Sequence, residues 1–211
     1  FGARPVLGGV ALALAEGESV GLLGASGWGK TTLLRVALGL QAADAGTVRI
    51  NGVDRAALPA RERRALRRRL AFVPQDPLAT FPRGATGTQI LADAARAAGV
   101  PRAARAQHVT SLAAEVALDR VLLQRPAAHL SGGQRQRLAI ARALAGGPEA
   151  LLLDEPVSAL DVTVQARVLD LLDEVQARRG TAMLFVSHDV EVIRHMSDRV
   201  LRLEEGRIAP G

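Results

Sequence analysis

The stretch Gly24-Ala-Ser-Gly-Trp-Gly-Lys30-Thr31 decides the fold of this chain. It fits the spacing G-x-x-x-x-G-K-[ST], and it lies between a strand-like segment, 19–23, and a helical pattern that runs from 30 to about 40. Glycines let the backbone curl so that successive N–H groups face one centre at the positive end of the helix. The stretch therefore predicts a phosphate-binding loop in which Lys30 reaches the phosphates and the Thr31 hydroxyl binds Mg²⁺.

The rest of the chain alternates short apolar segments with helical patterns, which is typical of a mostly parallel α/β sheet. Strands are predicted at 19–23, 47–50, 70–73, 151–153, 183–186 and 200–203, and helices at 30–40, 61–70 and 162–178. From 85 to 147 the patterns are Ala-rich and helical, without a convincing strand. We therefore expect one domain over 1–211, in which a helical subdomain, 85–147, interrupts a core formed by 1–84 and 148–211.

Length and composition exclude several classes of protein. The 211 residues suffice for one domain with a buried core, and no uncharged apolar run is long enough for a transmembrane helix. The absence of cysteine excludes disulfides and thiolate metal sites, and the four histidines lack metal-ligand spacing. The chain begins at Phe1 rather than Met, which suggests a piece of a longer protein.

The formal net charge of +6 raises the question of a nucleic-acid partner. Aromatic residues make up only 2% of the chain, which leaves almost nothing to stack on bases. An arginine run at 61–69 is the main candidate for contact with an anion, although a solvated helix face is the favoured interpretation. Lys30 is the only lysine, which suggests that its position requires a compact ammonium group.

Two adjacent acids follow the apolar segment 151–153. Asp154, at the end of the predicted strand, is placed to hold the Mg²⁺ shell, and Glu155 would polarise the attacking water as general base. Such a pair can also be a simple turn, but the phosphate loop in the same chain favours the catalytic interpretation.

The segment Leu130-Ser-Gly-Gly-Gln134-Arg-Gln-Arg137 resembles the signature motif of ABC ATPases. Its two glycines before a predicted helix expose amide N–H groups, and Ser131 adds a hydroxyl, so that a second anion-binding helix end is expected. In that family the signature closes over the γ-phosphate held by another monomer, which implies that the working unit is a dimer.

Four further positions match the family in its order. Gln75 resembles the glutamine that contacts Mg²⁺ and water, and Asp161, in Ser158-Ala-Leu-Asp161, resembles the loop that crosses the dimer interface. His188 resembles the histidine that hydrogen-bonds the γ-phosphate, and Phe1 lies where the adenine-stacking aromatic is expected.

The resemblance implies a P-loop NTPase with a RecA-like core, an antiparallel β-subdomain and an inserted helical subdomain that carries the signature. It implies ATP and Mg²⁺ as cofactors and assigns catalysis to Lys30, Gln75, Glu155 and His188, and Mg²⁺ to Thr31, Gln75 and Asp154. The nucleotide would contact Phe1, Gly24, Ala25, Ser26, Gly27, Trp28, Gly29, Lys30, Thr31, Thr32, Ser131, Gly132, Gly133, Gln134 and Asp161.

Two stretches, 75–83 and 157–165, are similar to the peptide and nickel importer ATPases, although Phe81 stands where those have Asn. This similarity implies a peripheral protein on the cytoplasmic side of the inner membrane. Its expected partners are a second ATP-binding domain, identical or different, permease subunits and an extracytoplasmic solute-binding protein, with no nucleic acid. A soluble ABC ATPase acting on ribosomes or nucleic acid is the alternative, and a non-hydrolysing regulatory domain is disfavoured because Lys30, Asp154, Glu155 and His188 are all present. The transported solute stays open.

Overall fold

The structure is a computed structural model that describes residues 6–210. Its strands are β1 Ser19–Leu23, β2 Arg49–Ile50, β3 Val53–Asp54, β4 Leu70–Val73, β5 Ala150–Asp154, β6 Ala182–Ser187, β7 Arg199–Glu204 and β8 Arg207–Pro210. Its α-helices are α1 Lys30–Leu38, α2 Ala60–Arg67, α3 Gly87–Ala97, α4 Arg105–Glu115, α5 Arg120–Leu123, α6 Gly132–Leu144, α7 Val162–Arg179 and α8 Val190–Met196.

Internal contacts divide the chain into two compact units. The first comprises the described residues up to Phe72, together with Glu149–Glu155 and the residues from Ala182 onward. The second comprises Val73–Pro148 and Pro156–Thr181. The phosphate loop and the acid pair therefore belong to the first unit, and the signature segment belongs to the second.

The first unit is built on a six-stranded sheet in the order β4-β5-β6-β1-β7-β8. Strands β5, β6, β1 and β7 are parallel, and β8 pairs antiparallel with β7. The central strands are apolar and buried, as expected for a parallel sheet covered on its faces. Leu34 and Leu38 of α1 pack against Val20, Leu22 and Leu152 of the sheet in one hydrophobic cluster. This packing fixes the start of α1 at the carboxyl end of β1.

The antiparallel pair β2–β3 forms the second, two-stranded sheet of this unit. Its turn is Asn51-Gly52, with φ angles of 50° and 76°, the conformation that tight hairpins prefer. The predicted strand at 47–50 is shorter in the structure because only Arg49 and Ile50 pair with residues of β3. The sequence predicts neither strand β8 nor helix α8. The strand has four residues and the helix seven, and segments this short give little periodic signal.

The second unit is a helical assembly in which α6 packs against α3, α4 and α7. Its core consists of apolar side chains at helical spacing, such as Leu91, Leu112, Leu138, Leu144 and Leu172. In the range 85–147, where the sequence predicts helices and no strand, the structure has the helices α3 to α6. In residues 6–210 no helix combines the length and the apolar character that a membrane span requires.

An ion pair between Glu115 and Arg179 joins α4 to α7 in the second unit. The guanidinium Nε and Nη2 each lie 2.6 Å from one carboxylate oxygen of Glu115. The hydrogen bond with Arg179 holds the pKa of Glu115 below its usual value of 4.5. A carboxylate with a lowered pKa contributes stability that is present above pH 4.5 and is lost as the pH falls through the folded-state pKa.

Replacing Glu115 with glutamine is therefore expected to lower the free energy of unfolding at pH 7 by about 1 kcal/mol. The difference from wild type should shrink as the pH falls below 4.5, because protonation then neutralises the wild-type carboxyl as well. Urea unfolding of the variant and the wild type at pH 7 and below pH 4.5 measures the loss and its pH dependence. Glu174→Gln is the control, because its pair with Arg178 is more exposed and longer, at 3.4 Å. An equal loss in both variants would contradict the prediction.

Candidate functional site

The phosphate loop of the first unit has the backbone that its sequence predicts. Gly29 caps α1 with a φ of 97°, a conformation that favours glycine, and a Cβ at this position would lie 2.8 Å from Leu7. Within the described part of the chain no side chain caps this end of α1. The first N–H groups of a helix lack intrahelical acceptors, so these amides can bind an anion.

Lys30 lies across the loop rather than in solvent. Its side chain is buried, and Nζ donates hydrogen bonds to the carbonyl oxygens of Gly24 at 2.7 Å and Ala25 at 3.0 Å. The same Nζ lies 3.7 Å from Oε1 of Glu155. Because the three contacts converge on one ammonium group, the positive charge is held at the mouth of the amide nest.

Thr31 and Asp154 meet at the carboxyl end of β5. The Thr31 hydroxyl donates a hydrogen bond of 2.9 Å to Oδ2 of Asp154, whose side chain is buried. Burial raises the pKa of Asp154, and the neighbouring Glu155 raises it further, while the hydrogen bond from Thr31 and the charge of Lys30 act in the opposite direction. A buried carboxylate beside a hydroxyl is an oxygen donor set of the kind that Mg²⁺ binds.

Glu155 follows β5 in an unusual backbone conformation, with a φ of 46°. The hydrogen bond from its N–H to the carbonyl of Val186, at 2.9 Å, holds the residue there. Non-glycine residues in the left-handed region are uncommon and concentrate at functional sites. This conformation places one carboxylate oxygen near Lys30 and the other 3.0 Å from Nδ1 of His188.

His188 is positioned by the residues beside it. It follows β6, and Asp189 accepts hydrogen bonds from the N–H groups of Glu191 and Val192 and so begins α8. The imidazole itself is exposed and touches Glu155. Asp189 was not among the predicted site residues, although an Asp directly before an apolar-periodic segment is a known signal of a helix start.

The first unit thus brings together Lys30, Thr31, Asp154, Glu155 and His188. Phe1, the predicted adenine-stacking residue, lies outside the described residues. The loop positions Ala25, Ser26 and Gly27 are exposed, Trp28 and Thr32 are half-buried, and Gly24 is buried.

The signature segment of the second unit forms the start of α6. Oγ of Ser131 accepts a hydrogen bond from the N–H of Gln134, and the Gln134 side chain accepts one from the N–H of Ser131 at 2.9 Å. This capping box uses one lone pair of the hydroxyl and leaves its proton free to donate. The amides of Gly132 and Gly133 make no hydrogen bond to any other residue in 6–210. The start of α6 therefore has two amide N–H groups and one hydroxyl that can donate hydrogen bonds to an anion.

Close packing explains the second glycine of the signature. A Cβ at Gly133 would collide with Cγ1 of Val164 in α7. Asp161 caps α7 by accepting a hydrogen bond of 3.0 Å from the N–H of Val164, so that the residues after Asp161 pack directly on the signature. Gln75, also in this unit, donates a hydrogen bond of 3.3 Å to the hydroxyl of Ser158. That contact was not anticipated, because nothing in the sequence links these distant positions.

Comparison with known proteins identifies the family. A model of the family described as ABC transporter matches residues 7–158, which is more than half of the chain. A putative peptide import ATP-binding protein of Brucella ovis is 44% identical over 204 residues, which is 96% of this chain and 64% of that protein. The oligopeptide transport ATP-binding protein OppD of Mycobacterium bovis is 40% identical over 200 residues, which is 95% of this chain and 33% of OppD. The chain thus spans less than two thirds of the length of these relatives.

Solved structures agree with the predicted fold class. The dimeric post-hydrolysis state of the ATP-binding cassette MJ0796, bound to ADP and Pi, superposes with a TM-score of 0.86 at 27% identity, covering 100% of this chain and 93% of that one. The prediction of an ABC ATPase fold is confirmed by this agreement and by the α/β sheet described above. The family match, with the phosphate loop, the acid pair and the signature that the chain contains, shows that this chain belongs to the ABC transporter family.

Proposed function

We propose that this chain binds and hydrolyses ATP as one half of a nucleotide sandwich and thereby powers the import of peptides or a similar small solute. The observation that carries this proposal is the group formed by Lys30, Thr31, Asp154, Glu155 and His188 at the carboxyl ends of β1, β5 and β6. A phosphate-binding lysine, a hydroxyl–carboxylate pair and a carboxylate beside an imidazole are groups that can together support phosphoryl transfer to water.

The phosphates would bind at the amino end of α1. The free amides of the loop form hydrogen bonds to the β-phosphate, and Nζ of Lys30 turns from the carbonyl oxygens of Gly24 and Ala25 to the more highly charged phosphate oxygens. Thr31 and Asp154 would hold Mg²⁺, which neutralises charge on the phosphates when bound. The raised pKa of Asp154 supports this assignment, because a cation beside a buried carboxylate offsets the cost of its ionisation.

Hydrolysis needs a base beside the γ-phosphate, and Glu155 has the position for it. Its carboxylate accepts a proton from the attacking water while the water oxygen bonds to the γ-phosphorus and the bond to the β–γ bridging oxygen breaks. His188 orients that carboxylate through its 3.0 Å contact and presents an exposed ring to the γ-phosphate. For Gln75, contact with Mg²⁺ and water remains the proposed role.

The second half of the site would come from another ATP-binding domain. Ser131 and the amides of Gly132 and Gly133 form an anion-binding helix start, which fits a γ-phosphate held by the phosphate loop of the partner domain. The dimeric state of the cassette MJ0796 supports this arrangement. We retain 85–147 as the proposed helical subdomain that carries this signature.

The names of the relatives support a role in import. We infer that the chain lies on the cytoplasmic face of the inner membrane as a peripheral protein and contacts permease subunits. An extracytoplasmic solute-binding protein would deliver the solute. The similarity to the peptide importers of Brucella and to OppD favours peptides as that solute.

Mixing two inactive variants tests the sandwich. Ser131→Asp keeps a good helix cap but sets a carboxylate against the γ-phosphate, so that it should inactivate without unfolding α6. In a heterodimer of the Lys30→Ala and Ser131→Asp chains, one site carries both defects and the other carries neither. If the two chains pair at random in two-fold dimers and the sites act independently, about a quarter of wild-type activity should return on mixing. Each variant alone serves as the control.

No recovery in a preparation that contains heterodimers, shown by differently tagged chains, would contradict two independent composite sites. An ATP-bound structure in which Ser131 lies far from any nucleotide would contradict the sandwich itself.

A further inference from the structure

The net charge of this protein is concentrated in one segment of the first unit. Residues 49–69 contain eight arginines and two acidic residues and therefore carry a formal charge of +6. The whole chain also carries +6, from 27 basic and 21 acidic residues, so that the remainder holds 19 of each and is neutral. A charge so localised creates a strong positive potential over one surface.

Most of these arginines have no side-chain partner in the part of the chain that the structure describes. Arg61, Arg63, Arg64, Arg67 and Arg68 lie on or next to α2 and are exposed, and none makes an ion pair or side-chain hydrogen bond with another residue of the described range 6–210. Their sequence neighbour Arg69 differs, because it pairs with Glu149 at 3.0 Å. We call the five unpaired side chains the α2 arginine cluster. Glu62 is the only acid on α2.

Arg55 extends the cluster toward the end of α1. Its guanidinium donates hydrogen bonds of 2.9 Å and 3.0 Å to the carbonyl oxygens of Val36 and Ala37 and is thereby fixed. Burial lowers the pKa of Arg55, and the charges of Arg63 and Arg67 lower it further. These two side chains therefore lie near enough to Arg55 to repel it, and Asp54 opposes them only in part. Arg55, Arg63 and Arg67 therefore form one positively charged surface.

Two exposed apolar residues lie near Arg55. Leu40, which follows the end of α1, is 61% exposed, and Val53 of β3 is 42% exposed. They are near Arg55 because its guanidinium lies against Gly39 and because Val53 precedes it by two residues. Cationic side chains beside exposed apolar ones are the combination by which peripheral proteins bind the headgroup region of a bilayer.

From these observations we propose that the α2 arginine cluster, with Leu40 and Val53, is a docking surface for anionic phospholipid headgroups. Arginine suits phosphate because its planar guanidinium is weakly hydrated and can donate two parallel hydrogen bonds. The charges lie around a convex helix, so that a plane of separate phosphates can neutralise them without a pocket. Residues 49–69 include no aromatic side chain, which disfavours single-stranded nucleic acid, since that partner needs stacking platforms.

The surface lies outside the proposed catalytic group, which consists of Lys30, Thr31, Asp154, Glu155 and His188. It can therefore be tested without ATP. The test variant is Arg61→Gln, Arg64→Gln and Arg68→Gln together, which removes three unpaired charges and keeps good helix formers. The matched control is Arg102→Gln, Arg120→Gln and Arg125→Gln, three exposed arginines of the second unit whose side chains form no hydrogen bond or ion pair in the part of the chain that the structure describes. Both variants change the net charge by the same amount.

Co-sedimentation with vesicles measures binding. We expect the wild type to bind vesicles of equal parts phosphatidylglycerol and phosphatidylcholine, and to bind phosphatidylcholine alone at least tenfold more weakly. Each basic residue near an anionic surface contributes about a fivefold change in binding, so that the test variant should bind the charged vesicles at least tenfold more weakly than wild type. The control should stay within about twofold of wild type, and added salt should weaken binding of the wild type.

Equal binding to both kinds of vesicle, or equal losses in the two triple variants, would overturn the proposal. A short RNA duplex that displaces the wild type from charged vesicles, and that itself binds more tightly than they do, would overturn it in favour of nucleic acid. ATP hydrolysis by the test variant in solution should match wild type. Loss of vesicle binding with intact hydrolysis therefore separates this surface from the proposed ATPase function.

Discussion

Replacing Lys30 with alanine is expected to lower ATP hydrolysis by at least about a hundredfold. The buried ammonium group is the positive charge held at the mouth of the amide nest by Gly24, Ala25 and Glu155. Without it the loop keeps its amides but loses the side chain that we propose stabilises the negative charge on the β- and γ-phosphate oxygens during bond cleavage. Steady-state release of phosphate from ATP measures the loss.

Lys30→Ala is expected to affect stability as well as hydrolysis. Removing Lys30 takes a counter-charge from Glu155 and from the buried Asp154, so that part of any loss could reflect instability rather than chemistry. Thermal unfolding without nucleotide should therefore accompany the assay. Lys30→Arg gives a sharper comparison, since it keeps the charge but replaces a compact ammonium by a wide planar group in a confined space. We expect it to remain at least about tenfold below wild type.

Arg194→Ala is the matched control, because Arg194 is an exposed basic residue on α8 outside the catalytic group. It should hydrolyse ATP at the wild-type rate. Hydrolysis by Lys30→Ala near the wild-type rate, in a preparation free of other ATPases, would show that this lysine does not have the proposed role.

The sequence was sufficient to predict the elements of the site that depend on local chemistry. A glycine-rich turn between a strand and a helix has few alternative structures, and the Lys30 and Thr31 positions follow from it. The end of α1 shows the limit of such reasoning. The predicted helix ran to Leu40, but Gly39 adopts a left-handed conformation that caps it after Leu38.

Contacts between residues distant in sequence were beyond prediction from a single chain. The carboxylate of Glu155 meets both Lys30 and His188 because of its left-handed backbone conformation, which β6 stabilises through the carbonyl of Val186. A motif predicts that Glu155 is the base but gives no φ angle. Similarly, the contact of Gln75 with Ser158 depends on packing within the second unit.

The capping role of Ser131 was not among the predictions. The resemblance assigns its hydroxyl to a phosphate, although Ser131 and Gln134 also have the S-x-x-Q spacing of a capping box. The structure shows the capping box, in which the hydroxyl accepts from the Gln134 amide. Since an accepting hydroxyl still carries a proton that it can donate, the cap is compatible with the proposed phosphate contact.

Replacing Glu155 with glutamine should separate nucleotide binding from hydrolysis. The amide keeps the size of the carboxylate and can still form a hydrogen bond with Nδ1 of His188, but it cannot accept a proton from water. Loss of a general base lowers the rate by about 10²- to 10⁴-fold, so that we expect ATP hydrolysis to fall by that amount. Affinity for ATP should remain within a few-fold of wild type, because the loop amides, Lys30 and Thr31 are unchanged.

The same variant should change the oligomeric state. The γ-phosphate would join Lys30 of one domain to Ser131 of the other, and hydrolysis would remove that bridge, so that slow hydrolysis should accumulate the closed dimer. Size-exclusion chromatography with ATP should show Glu155→Gln shifted from monomer toward dimer. Wild type should shift weakly or transiently, and Lys30→Ala should not shift, since it lacks one end of the bridge.

Glu191→Gln is the control for this substitution, since Glu191 is an exposed carboxylate in the first turn of α8 and lies outside the catalytic group. It should hydrolyse ATP and elute as wild type does. The hydrolysis rate decides between the possible outcomes, because a domain that dimerises poorly without the proposed permease subunits would remain monomeric even with an intact bridge. If Glu155→Gln hydrolyses ATP as fast as wild type, the base is another group, and the contact between Glu155 and His188 has a structural role only.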